Sequence, residues 1–170
     1  MESDVGNRLV TLILAALLLA PVAVSAKPAV PSWRDHHPWS TEVATVTVGT
    51  DELQAEIADT PQLQGRGLGY RDGLDPGTAM LFVFDNASMR TFWMKGMRFC
   101  LDIVWIEGGM IVGAAEAVCP MPGTPDAELP TYSSPVGVRY VLEVPAGWLA
   151  THGYGAGTPV EINLSDPPAD

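Results

Sequence analysis

Between Trp93 and Asp102 an apolar run, residues 91–106 (TFWMKGMRFCLDIVWI), carries an indole, an ammonium group on Lys95, a guanidinium on Arg98 and a carboxylate. Such groups together can bind or transform a polar ligand. Trp93 offers an aromatic face, Lys95 a cation, and Asp102 an acceptor or a general acid or base. In 101–106 strand alternation puts Leu101, Ile103 and Trp105 on one face and Asp102, Val104 and Ile106 on the other. A carboxylate in that company is either at an exposed strand end or buried with partners, because an isolated buried carboxylate takes up a proton instead. Available partners are Lys95, Arg98, Arg66, Arg71 and neighbouring backbone N–H groups. In 91–95, Thr91, Trp93 and Lys95 share a face, so the lysine stem can lie across the indole. Read as one hairpin, 91–95 and 101–106 gather aromatic, cation and anion. The result is either a buried ion pair that fixes strand register or the wall of a ligand site. A membrane helix is excluded, since Lys95, Arg98 and Asp102 would each cost about 2.5–3.5 kcal/mol near a bilayer centre and Gly96 interrupts the run.

Other chemistry is weaker. Met89, Met94, Met97 and Cys100 raise Cu(I), but methionine more often fills core. His36 and His37 are adjacent in a polar leader, where a metal site would need three or four converging ligands. No metal and no cofactor are expected. Gly-x-Ser-x-Gly, His-Glu-x-x-His and Walker-type motifs are missing from the sequence, and Asp102 has no identifiable second carboxylate or positioned nucleophile beside it. A structural scaffold domain without a ligand, and a hydrolase using Asp102 as acid or base, stand behind binding as alternatives. Cys100 and Cys119 can pair in an oxidising compartment, remain buried thiols, or act as soft ligands; their spacing does not choose.

The surrounding elements read as β. Residues 43–48 (VATVTV) and 53–58 (LQAEIA) alternate with period two about a 49–52 turn, which predicts a hairpin. Thr60-Pro61 starts a helix of one or two turns to Leu68, with Thr60 as N-cap. Residues 79–84 (AMLFVF) form a strand buried on both faces, and further strands fall at 91–95, 101–106, 110–118, 139–144 and 160–164. A short helix occupies 146–152 before Gly153, and 120–135 is a long proline-rich connection of the kind that often carries function. About eight short strands with one or two short helices predict a compact single-domain sandwich or barrel, mainly β, over residues 43–165.

At the N-terminus the run 9–20 (LVTLILAALLLA) followed by Val24-Ser25-Ala26 resembles a secretory signal ending at Ala26, although Glu2 and Asp4 also allow an uncleaved anchor. Residues 27–42 read as a flexible leader and 166–170 as a tail. The expected location is extracytoplasmic, with membrane contact only through the N-terminal segment. The net charge of −11 becomes −10 without residues 1–26, leaving 18 acidic and 8 basic side chains. Such a surface repels polyanions, so nucleic acid is not an expected partner. A small molecule or an envelope component is.

The ordered blocks Gly65-Arg66-Gly67-Leu68, Met80-Leu81-Phe82-Val83-Phe84, Phe92-Trp93-Met94-Lys95, Leu101-Asp102-Ile103, Pro130-Thr131-Tyr132 and Arg139-Tyr140-Val141-Leu142-Glu143 resemble the family called domain of unknown function 192, over about residues 45–164. The resemblance implies a compact, mainly β domain, often exported, without an established activity or cofactor. Its blocks include polar residues that core packing does not require. Arg66, Lys95, Asp102, Thr131 and Tyr132 join Trp93 as candidates for one ligand-binding cluster. The chain departs from the family pattern at Gly69, where methionine is usual, at Cys100, where proline is usual, and in lacking a second cysteine in the loop before Pro-Thr-Tyr. By that comparison Cys100 replaces a lost loop partner for Cys119, or neither thiol matters.

Overall fold

A computed structural model describes residues 42–164. The segment 1–26, His36 and His37 in the leader, and the tail 166–170 lie outside the described residues. Nine strands and two short helices follow in the order β1 (Val43–Val48), β2 (Asp51–Ala58), α1 (Pro61–Arg66), β3 (Thr78–Ser88), β4 (Thr91–Trp93), β5 (Leu101–Glu107), β6 (Met110–Val118), β7 (Thr131–Ser133), β8 (Val138–Pro145), α2 (Trp148–His152) and β9 (Val160–Leu164). The chain is mainly β, as its alternation predicts. Thr60 caps α1 by accepting the Leu63 N–H at 3.3 Å, and Pro61 takes the first helical position.

Seven strands form one sheet in the order β6-β5-β8-β3-β2-β1-β9, while β4 and β7 pair separately. The β2–β3 pair is parallel, joined by the crossover 59–77 that contains α1. The large sheet curls until its outer strands meet at one end. There the Ile111 N–H donates to the Thr158 carbonyl (2.9 Å) and the Val160 N–H to the Gly109 carbonyl (2.8 Å). The half-barrel thereby pairs backbone groups that an open edge would expose.

Alternation divides the side chains between two cores. The inner one draws on all seven strands, with Val46, Leu53, Leu81, Val104, Ile111, Leu142 and Val160 packed around Leu149 of α2. On the outer face Met80, Phe82, Leu101, Ile103, Trp105 and Val141 are covered by Leu68 after α1 and Met94 after β4. The central strands are thus covered on both sides.

The hairpin predicted from 91–95 and 101–106 does not form. β4 pairs with β7, and β5 lies between β6 and β8. A hairpin turn of two residues would have held them together, but seven residues separate these strands, turning at Gly96 (φ 70°) with the Met97 N–H bonded to the Met94 carbonyl. The connection therefore lets β4 leave the sheet and lay Phe92 edge-on against Phe82, with centroids 4.9 Å apart.

Where β5 and β6 end, the register Leu101↔Val118 sets Cys100 opposite Cys119, and the two are joined by a disulfide that spans 19 positions of sequence. A loop of that length constrains the unfolded chain by about 3 kcal/mol in the chain-entropy model. Replacing both cysteines by serine is expected to lower unfolding free energy by about 2–3 kcal/mol, measured by urea titration of both proteins, with added reductant affecting only the parent.

Candidate functional site

Asp102 is wholly buried against the inner core, on the face predicted from alternation. Its Oδ1 accepts the Ala117 N–H (2.7 Å) and the Gly147 N–H (3.0 Å), and its Oδ2 accepts the Leu149 N–H (3.1 Å). Ala117 lies in the left-handed region (φ 51°) near an irregularity of the β5–β6 ladder, and Gly147 (φ 77°) opens α2. One carboxylate therefore holds a distorted stretch of β6 and the first turn of α2 to β5. Backbone dipoles rather than a cation compensate its charge. Asp102 is a structural clamp on the opposite face of the sheet from Trp93 and Lys95, which corrects its expected place in one cluster with them.

The outer face carries a different set. Across β2, β3, β8 and β5 the register aligns Glu56, Met80, Glu143 and Ile103 in one row. Arg71, 1% exposed, clasps Glu56 with two bonds of 3.0 and 2.7 Å. Glu143 is as buried as Glu56, yet its Oε2 has no hydrogen-bond partner among the protein groups. Burial raises the Glu143 carboxyl from 4.5 to about 8, against the opposing pull of the Arg71 charge. At neutral pH it is a buried O–H donor.

Glu143 forms the floor of a cleft of about 40 Å³ between α1 and β4, walled by Arg66, Gly67, Phe82, Trp93 and Lys95. That volume holds about three water-sized groups. Gly67 (φ 51°) allows the close approach, since a Cβ there would stand 3.2 Å from the Phe82 ring and 4.0 Å from Glu143 Oε2. The cleft shares Gln64, Phe82, Phe92 and Trp93 with a groove of about 440 Å³ that continues past Met89 and Arg90.

Trp93 is 45% exposed, and Lys95 Nζ lies 5.1 Å from its ring centroid, although β4 ends at Trp93 and Lys95 stands in the turn that follows rather than on the expected 91–95 strand. Lys95 also meets Asp126 Oδ2 at 2.6 Å, and this hydrogen bond and charge raise the lysine above its ordinary value. Thr131 and Tyr132 sit on β7 directly opposite Trp93 and Phe92. The fold thus brings Trp93, Lys95 and Arg66 to one cleft, places Thr131 and Tyr132 on the strand beside it, and removes Asp102. Sequence reasoning misses Glu143, Glu56 and their arginine as a site. The available signal is Glu143 itself, which alternation places with Val141 in a strand apolar on both faces.

Two outcomes follow from these contrasting carboxylates. Asp102→Ala takes the acceptor from the Ala117, Gly147 and Leu149 N–H groups, the last of them buried, and is expected to cost about 3 kcal/mol, read by urea unfolding. Glu143 behaves oppositely with pH. Its folded value lies above its unfolded one, so its contribution to stability is complete below pH 4.5 and is lost as pH rises through about 8. Within that window the slope is roughly 1.4 kcal/mol per pH unit. Glu143→Gln is expected to remove it and to be more stable than the parent above the window, in urea midpoints taken across pH.

The groups that line the cleft fall within a region shared with other proteins. Residues 44–162 match the model of the family DUF192, described as Uncharacterized ACR. No curated protein matches the chain. Among solved structures, a protein of unknown function from Novosphingobium aromaticivorans is similar at 27% identity, covering 74% of this chain and 89% of its own, with a TM-score of 0.65. A protein from Sinorhizobium meliloti proposed to regulate transcription is similar at 28% identity, covering 73% of this chain and 95% of its own, with a TM-score of 0.63. With its ordered blocks, its curled sheet and a model match over most of its length, the chain belongs to the DUF192 family.

Proposed function

We propose that the protein is a non-catalytic small-ligand-binding or accessory module of the cell envelope, with its ligand held between α1 and the β4–β7 pair. The observation that carries this reading is Glu143, buried at the floor of an aromatic cleft with an oxygen that no protein group satisfies. A domain that served only as scaffold gains nothing from such a group, since an unsatisfied buried polar atom costs about 1–3 kcal/mol. Binding is favoured over hydrolysis because Asp102 is enclosed by backbone donors and Glu56 is clasped by Arg71. Export is supported by the apolar run 9–20 and the small residues after it, and by a disulfide of the kind that oxidising compartments preserve. Direct contact with DNA, one way for a relative to regulate transcription, is opposed in this chain by a net charge of −11.

Thermal unfolding of the full chain across envelope glycans, small anions and peptides tests the reading. A ligand at a hundredfold excess over its dissociation constant adds about 2.7 kcal/mol to apparent stability. At least one such shift is expected, and Trp93→Ala is expected to abolish it. No shift with any member of the panel, or shifts that ignore Trp93→Ala, would assign the groove a purely structural role.

A further inference from the structure

Residues 42–164 carry 15 acidic and 6 basic side chains, but the cations are not spread evenly. Arg66 and Lys95 line the cleft, and Arg90 lines the groove that continues from it. Arg71 lies close enough behind Glu143 for its charge to act on that carboxyl. Glu143 is the one acidic side chain lining the cleft, and its buried carboxyl is a donor rather than an anion at neutral pH. A cationic spot on an acidic protein attracts anions and turns amines away. The cleft's volume of about 40 Å³ holds about three water-sized groups, room for the three heavy atoms of a carboxylate. Beyond it the groove offers Phe92, Trp93, Phe84 and Met89 to an apolar body. The protein already seats one carboxylate on this lysine. Asp126, in the long loop between β6 and β7, contacts Lys95 Nζ while both side chains stay about half exposed, so the contact is open to exchange.

Resting on the binding reading above, we propose that the ligand is a small carboxylic acid with an aromatic or aliphatic body. Its carboxylate enters the cleft against Glu143, Arg66 and Lys95 and displaces Asp126 from the lysine. The body lies along the groove beside Trp93, Phe92 and Met89. A carboxyl donating to a carboxylate makes a charge-assisted hydrogen bond, which is stronger than a neutral one and satisfies the lone oxygen of Glu143. The charged groups around Glu143 are Arg71 beyond α1, Arg66 of α1 and Lys95 beyond β4, with Glu56 of β2 one strand beyond Met80 in the row and clasped by Arg71. Among these, Glu143 is the carboxyl whose proton the ligand needs.

Calorimetric titration of the full chain with phenylacetate, hexanoate and their amides, at about pH 6 and about pH 9, decides the matter. The acids are expected to bind at least about tenfold more tightly than the amides. Asp126→Asn frees the lysine and is expected to tighten acid binding about two- to fivefold, matching the worth of an exposed ion pair. Acid affinity is expected to fall about tenfold from the lower to the higher pH in the parent and to stay level in Glu143→Gln, whose amide still donates. Amides that bind as well as acids, with Trp93→Ala abolishing both, would overturn the carboxylate while leaving the groove a binding site. Acid binding that ignores both Asp126→Asn and Lys95→Gln would overturn it too. If neither acids nor amides bind, the carboxylate is wrong, and the wider ligand panel separately decides the groove.

Discussion

Strands β5 and β8 are paired on both sides and covered on both faces along most of their length, so Asp102 and Glu143 are held almost wholly out of bulk water. Asp102 and Glu143 meet that constraint in opposite ways. Asp102 stays within a web of backbone donors, three N–H groups from two separate segments, and its charge becomes a fastening. Glu143 has a cation nearby but no donor on Oε2, and burial drives it toward the neutral form. The difference comes from what packs over each face. The inner face meets the start of α2, whose first N–H groups lack partners in the helix, whereas the outer face meets side chains and a gap.

The cleft depends on several elements arriving together. Gly67 lets the end of α1 approach Phe82, and the T-shaped contact of Phe82 with Phe92 pins β4. Pairing with β7 then sets Trp93 beside Thr131 and brings the long loop, with Asp126, to Lys95. The site is therefore built on a rigid outer core but rimmed by a pair of half-exposed charges. Such an arrangement holds the floor in place while leaving the rim able to exchange partners.

Period-two alternation makes most strands and the faces of Asp102 and Trp93 legible in the amino-acid order, and the Thr60-Pro61 pair does the same for the start of α1. Alternation fails at the connection from β4 to β5, because it says which face a residue takes and nothing about which strand is its neighbour. Nearness in sequence is an uneven guide to pairing here, since β5 does pair with the next strand, β6, but the partner of β4 and the other partner of β5 lie far along the chain. The same limit hides the row Glu56–Met80–Glu143, whose members come from three strands that are neighbours only in the sheet.

A mainly β domain of this family, the residues that need burial, and the requirement that Asp102 find partners all follow from the order of residues. Those are local matters of periodicity, turn chemistry and the cost of a buried charge. The assembled fold settles that those partners are the N–H groups of Ala117, Gly147 and Leu149, and that Glu143 rather than Asp102 joins Trp93 and Lys95. Strand order and curl bring together groups distant in the chain, and only their arrangement in space determines which buried carboxyl is satisfied and which keeps an oxygen without a hydrogen-bond partner.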